Sequence, residues 1–135
     1  MSTGVKCHRS CIEAFEDLKL NKKHRYIIFH IEDDKEIKVL CRADRTETYH
    51  SFKDILLKMM DEGKGCYAVY DYEVEGKVPS LIFVSWVPST LDVRKRMIYA
   101  ASKCVLKASL VGVRREVEAN DVDEIEEEEM RKRAS

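Results

Sequence analysis

Two apolar segments, residues 66–72 and 81–87, are the strongest strand candidates in the chain. Both are rich in the β-branched and aromatic residues that strands favour. A short charged stretch through Gly76 separates them, which predicts a hairpin. The fold must therefore contain a sheet with this hairpin in it, and the remaining segments have to pack around that sheet.

Helical and strand patterns alternate along the rest of the chain. Strands are predicted at 25–31, 36–41 and 113–117, and helices at 10–20, 48–60, 90–110 and about 121–133. Ser10 with Glu13 forms the pattern of a capping box, and Thr90 is the predicted N-cap of the longest helix. Paired strands separated by helices indicate an α/β (α+β) fold with a central five-stranded mixed sheet and helices on both faces. We expect one domain over residues 1–135, with a charged C-terminal helix.

The charge is distributed unevenly. Residues 116–135 contain nine acidic and three basic residues, whereas residues 1–115 contain 16 acidic and 21 basic residues. A basic body favours an acidic protein, an anionic lipid surface or nucleic acid as partner. Nucleic acid is the weakest of the three, because aromatic residues do not alternate with the basic ones and the acidic end would repel phosphate.

The five cysteines, at positions 7, 11, 41, 66 and 104, do not form a disulfide pattern. Their number is odd and no CxxC occurs, so a reducing compartment is expected. Cys66 and Cys104 lie in apolar runs and are predicted to be buried free thiols. No signal peptide is apparent, and the apolar runs are too short to cross a membrane. We expect a soluble, cytoplasmic protein.

No catalytic or metal-binding motif stands out. The four histidines are dispersed, and Cys7, His8 and Cys11 lack an evident fourth ligand for zinc. The acidic run 126–129 lacks the glycine and the alternating ligands of a calcium loop, so a solvated helix face is expected. The sequence predicts neither an enzyme nor a cofactor or metal site, and function must reside in a surface.

The predicted helix 90–110 is the most basic element. Arg96, Lys103 and Lys107 lie within roughly 40° of one another on a helical projection and form a basic stripe. A second stripe of apolar and small residues is predicted to pack on the sheet: Val93, Met97, Ala101, Cys104 and Ala108. A basic stripe can also serve only to solvate a surface helix, and the charge pattern does not separate the two interpretations.

Three segments resemble the ADF/cofilin family of actin-binding proteins. Residues 67–73 (YAVYDYE), 86–90 (WVPST) and 93–103 (VRKRMIYAASK) are similar to that family's strand, turn and long-helix motifs. Gly4-Val5 and residues 15–19 (FEDLK) also fit. The resemblance covers essentially the whole chain in the right order, and it implies the ADF-homology fold.

The resemblance also implies a site. In the family, the N-terminal segment and the long helix bind an actin subunit, preferably in the ADP state. The matching residues here are Ser2, Thr3, Gly4, Val5, Arg94, Arg96, Met97 and Lys103. Family members usually carry a phosphorylated serine before the glycine. Thr3 occupies that place here with Ser2 beside it, so both are phosphorylation candidates.

One departure affects the second, filament-binding site of the family. Severing members carry a basic hairpin pattern like K-R-x-K, whereas this chain has Lys77-Val78-Pro79-Ser80. The last helix keeps Arg131, Lys132 and Arg133. We therefore expect binding to monomeric ADP-actin and weakened side-binding to filaments with poor severing, as in protozoan-type members.

Two alternatives share the fold. A glia-maturation-factor-like regulator of branched actin networks would not carry the full long-helix motif. A phosphoinositide-binding adaptor would use Lys95, Arg96, Lys103 and Lys107. The sequence favours a monomeric, cytoskeleton-associated actin-binding protein, and phosphoinositide binding would be a regulatory mode of the same surface more than a rival to it.

Overall fold

A computed structural model of the chain describes residues 4–73 and 80–134. The predicted alternation of elements is present, with a short strand added at the start and the last helix divided in two. The strands are β1 (Lys6–Cys7), β2 (His24–Glu32), β3 (Glu36–Asp44), β4 (Cys66–Tyr72), β5 (Ser80–Trp86) and β6 (Arg115–Ala119). The helices are α1 (Arg9–Lys19), α2 (Tyr49–Asp61), α3 (Val93–Ser109), a 3-10 helix (Val122–Ile125) and α4 (Glu127–Ala134).

The strands of this part of the chain form one mixed sheet in the order β1-β3-β2-β4-β5-β6. The central pairs are antiparallel, whereas β1 with β3 and β5 with β6 are parallel. The prediction of a mixed sheet is confirmed, but the count of five strands was wrong. The sixth strand, β1, has only two residues, too few for any alternation of side chains to reveal it.

Helices cover both faces of the sheet, as predicted. One core lies under α1 and α3 and includes Phe15, Leu18 and Leu106. The other lies under α2 and α4 and includes Phe52 and Met130. All seven residues of β4 are buried, because this strand lies between β2 and β5 with helices on both sides. Burial on both faces explains why six of its seven residues are apolar, and the exception, Asp71, is buried with the guanidinium of Arg45 2.7 Å away.

Two predicted helix N-caps were wrong by two residues. The N-cap of α1 is His8, whose Nδ1 accepts the Ser10 N–H at 3.0 Å, instead of the predicted capping box at Ser10. The N-cap of α3 is Asp92, whose carboxylate accepts the Lys95 N–H at 2.9 Å. Thr90 lies in the turn before it. The predicted single C-terminal helix is interrupted at Glu126, which has an extended backbone.

All five cysteines are free, and Cys66 is fully buried as expected. Cys104 is exposed, so the prediction of a buried thiol there was wrong. Gly76, the predicted hairpin residue, lies outside the described residues. None of the helices described above combines the length and the apolar character needed to cross a lipid bilayer.

Candidate functional site

The outward face of α3 carries the residues that were predicted to pack on the sheet. Val93 and Met97 are 61% and 57% exposed, and Ala101, Cys104 and Ala108 are exposed with them. The buried face consists instead of Tyr99, Ser102 and Leu106. The predicted packing face was therefore wrong, and its members form an apolar strip open to solvent. We call these five exposed residues the α3 strip.

Tyr99 fixes α3 on the sheet. Its ring lies 5.1 Å from that of Tyr67, whose hydroxyl donates to the backbone carbonyl of Tyr99. The Tyr99 hydroxyl in turn accepts the Ile31 N–H at 3.1 Å. Burial raises the pKa of Tyr99 to about 12, so the phenol is neutral at physiological pH. These contacts hold one side of α3 against β2 and β4, and the α3 strip is presented from a rigid helix.

Two arginines border the α3 strip near its N-terminal end. At 100° per residue, Arg94 and Arg96 lie roughly 160° apart, on opposite flanks of the strip. The Arg94 side chain is 80% exposed, and its guanidinium lies 3.5 Å from the carboxylate of Asp34 in the β2–β3 turn. Arg96 donates from Nε to the Leu91 carbonyl at 3.1 Å and remains exposed. Both positive charges therefore face solvent beside an apolar surface.

The N-terminal segment runs next to this surface. Ser2 and Thr3 lie outside the described residues. Gly4 has a positive φ of 76°, and Val5 is 6% exposed and packs into the core under α3. The following strand, β1, contacts α3, and the Lys6 N–H donates to the Lys35 carbonyl at 3.0 Å. The β2–β3 turn thus touches both the start of the chain and Arg94, which brings the two predicted parts of the actin site together.

Two lysines of the predicted basic stripe, Lys103 and Lys107, form ion pairs within the protein. Lys103 lies 3.0 Å from the carboxylate of Glu116 and also contacts Glu118, both on β6. Lys107 bonds to Glu116 as well. Burial opposes ionisation of Glu116, but hydrogen bonds from Lys107 and Lys103 outweigh it, and its pKa is lowered. Only 18% of the Lys103 side chain is exposed, so this predicted actin contact is less accessible than Arg94.

The four predicted phosphoinositide ligands do not converge on one point. Lys95 turns toward the end of α2 and donates to the Gly63 carbonyl at 3.0 Å. Lys103 and Lys107 turn toward β6 instead. Arg96 lies on the flank of the α3 strip and donates to the Leu91 carbonyl, away from these contacts.

The predicted filament site is described in part. Lys77 lies outside the described residues. Arg131, Lys132 and Arg133 are exposed on α4, where Arg131 lies 3.9 Å from Glu127 and Lys132 lies 3.4 Å from Glu129. The Tyr72 side chain also hydrogen-bonds Arg131. Because Tyr72 ends β4, this contact places Arg131 beside the end of that strand.

The sequence interpretation missed the acidic partners of Lys103 and Lys107. Glu116 and Glu118 are two apart on a strand, and this spacing places both side chains on one face. That signal was available in the sequence, but the pairing of this face with α3 depends on the packing of β6 beside the helix. Within the described part of the chain, no group of three or more histidine, cysteine or acidic residues is arranged to hold a metal ion.

Comparison with known proteins agrees with the family resemblance of the sequence motifs. Residues 4–135 match the family described as cofilin/tropomyosin-type actin-binding protein. A cofilin of Gibberella zeae is 36% identical over 145 aligned residues, which cover 98% of this chain and 95% of the relative. The crystal structure of Streptomyces griseoflavus cofilin has a TM-score of 0.86 and 38% identity, and the match covers 98% of this chain and 100% of that chain. The crystal structure of Plasmodium berghei actin depolymerization factor 2 has a TM-score of 0.77 and 26% identity over 99% of both chains.

Proposed function

The chain belongs to the ADF/cofilin family of actin-binding proteins, and from this premise we propose that it binds ADP-actin monomers and promotes actin filament turnover, with weak side-binding to filaments. It would act as a monomer in the cytoplasm, associated with the actin cytoskeleton. Its contribution would be depolymerisation and the sequestration or recycling of monomers more than severing.

The observation that carries the monomer-binding proposal is the α3 strip between two exposed arginines. An apolar centre with charged borders is the usual composition of a protein–protein interface. Actin is acidic, and a guanidinium can form paired hydrogen bonds with a carboxylate. Val93 and Met97 would supply the apolar contact, while Arg94 and Arg96 would fix its register.

The N-terminal segment would complete this site. Gly4 and Val5 lie beside α3, so Ser2 and Thr3 immediately precede the proposed interface. A phosphate on either residue would add negative charge facing an acidic partner and would weaken binding. This argument supports Ser2 and Thr3 as regulatory sites without distinguishing between them.

Weak filament binding is supported by the composition of the second site. The segment Lys77-Val78-Pro79-Ser80 keeps a single base, and two of the three nearby bases of α4 are close to acids of the same helix. Each missing rim contact would cost roughly 1 kcal/mol where it would have been desolvated. Together, the missing contacts would be enough to weaken side-binding to filaments, while the monomer site stays intact.

Two measurements test this function. Titration of fluorescently labelled ADP-actin monomers with the wild type should show saturable binding, and Met97→Glu should reduce it because a carboxylate replaces the apolar centre. Co-sedimentation and direct imaging of filaments should show little side-binding and slow severing. Saturable side-binding with fast severing would contradict the proposed weakness at filaments, and the absence of monomer binding would overturn the function itself.

A further inference from the structure

A small cavity lies on the β6 flank of α3, outside the α3 strip. Its volume is about 340 Å³, and its walls include Arg96, Lys103, Glu118 and Asn120. Two cations and one carboxylate therefore face the same space. A pocket with this lining suits an acidic side chain, which would be attracted by both cations.

The carboxylate of Glu118 occupies the place that such a side chain would take. It contacts Lys103, and its side chain is 59% exposed. Glu116 is more enclosed, with 27% of its side chain exposed, and it also bonds to Lys107. If Glu118 turned away, Glu116 would still compensate the charge of Lys103, so the lysine would not be left buried and unpaired.

We propose that the pocket between Arg96 and Lys103 receives a carboxylate of the bound actin subunit, and that Glu118 competes with that carboxylate for Lys103. The inference rests on the proposed function and adds a subsite to it. Glu118 then sets the affinity. Binding replaces the Glu118 carboxylate beside Lys103 with the carboxylate of actin, and breaking the first ion pair costs free energy. Lys103 therefore contributes less to binding while Glu118 is present than it would without this competitor.

The test is a double-mutant cycle on affinity for ADP-actin monomers, with wild type, Glu118→Gln, Lys103→Met and the double variant. Glu118→Gln keeps the side-chain shape and leaves Glu116 in place. We expect it to tighten binding by about three- to tenfold, because the competing like charge is removed. Lys103→Met alone should weaken binding, because it removes one of the two cations that receive the carboxylate, and the double variant should lose the gain of Glu118→Gln. The gain should shrink as salt rises, since the flank is partly exposed.

A matched control separates the subsite from a general effect of charge. Glu47→Gln removes one exposed acid near Tyr49 and Glu127, on the α2 and α4 side of the sheet. It should bind like the wild type. The inference is overturned if Glu118→Gln binds no tighter than Glu47→Gln, or if its gain survives Lys103→Met.

Failure of the proposed function would look different. In that case the wild type would not bind ADP-actin at all, and no variant of the cycle could be ranked. If the wild type binds and Arg94→Ala weakens it while Glu118→Gln has no effect, the monomer site stands and the subsite alone is wrong. The thermal midpoint of Glu118→Gln should lie close to that of the wild type, because Glu116 still pairs with both lysines in this variant.

Discussion

The Tyr99 hydroxyl accepts a 3.1 Å hydrogen bond from the Ile31 N–H and so joins the middle of α3 to the end of β2. Both groups are buried. This bond and the packing of Tyr99 on Tyr67 decide which side of the helix faces the sheet. As a consequence, Met97 and its neighbours face the solvent between Arg94 and Arg96.

Tyr99→Phe should therefore destabilise the fold. The substitution leaves the Ile31 N–H buried without an acceptor, which costs about 1–3 kcal/mol in the free energy of unfolding. Urea denaturation measures this change. Tyr26→Phe is the comparison, because the Tyr26 hydroxyl bonds to the part-buried Ser51 side chain at 2.9 Å and not to a buried backbone N–H of the described residues. Equal stability of Tyr99→Phe and wild type would show that the bond does not fix α3.

The two faces of α3 should respond differently to truncation. Leu106 is fully buried, so Leu106→Ala should reduce the free energy of unfolding by about 2–5 kcal/mol. Met97 is 57% exposed, so Met97→Ala should change it by no more than about 0.5 kcal/mol while weakening actin binding. Thermal or urea unfolding beside an ADP-actin titration checks both. A large loss of stability in Met97→Ala would show instead that Met97 packs on the sheet, as the sequence predicted.

Stability should fall in mildly acidic solution because of His30. This half-buried residue of β2 has a lowered pKa, mainly through burial. As the pH falls through about 6.5, the unfolded chain binds a proton at this histidine before the folded protein does, and stability decreases. The decrease ends once the pH lies below the pKa of the folded state. The urea midpoint should decrease from pH 7.5 to 5.5.

The variant His30→Gln should make that decrease smaller. His24 also has a lowered pKa, so part of the slope should remain. His50→Gln is the control, because the His50 side chain is 84% exposed. A pH dependence that His30→Gln leaves unchanged would exclude His30 as a source of the effect.

The sequence was sufficient to predict a mixed sheet with helices on both faces, although it did not reveal the sixth strand. The mostly apolar sequence of β4 and the long basic helix are strong local signals, and the family motifs lie on them. Local signals could not orient α3, because apolar residues occur on both of its sides. Tyr99 and Leu106 are buried and Met97 is exposed only because the sheet offers Tyr67 and Ile31 as partners for that side.

Contacts between distant segments account for the other errors. Lys103 was interpreted as a free binding residue, and its pairing with Glu116 and Glu118 follows from the position of β6 beside α3. The strand β1 is formed by pairing of two residues with β3, and no period can be detected in so short a segment. Such features depend on tertiary packing, which one sequence without its fold does not reveal.

The central claim is that the outward face of α3 binds monomeric ADP-actin through its two arginines. The most direct test measures nucleotide exchange on ADP-actin with the wild type and with Arg94→Ala/Arg96→Ala. Arg42→Ala/Lys58→Ala, which removes two exposed bases outside α3, controls for net charge. We expect the wild type and this control to slow exchange equally, and the α3 variant to need about thirtyfold more protein, since the two lost guanidinium pairs cost roughly 1 kcal/mol each. A wild type that does not slow exchange, or an α3 variant that matches it, would contradict the claim.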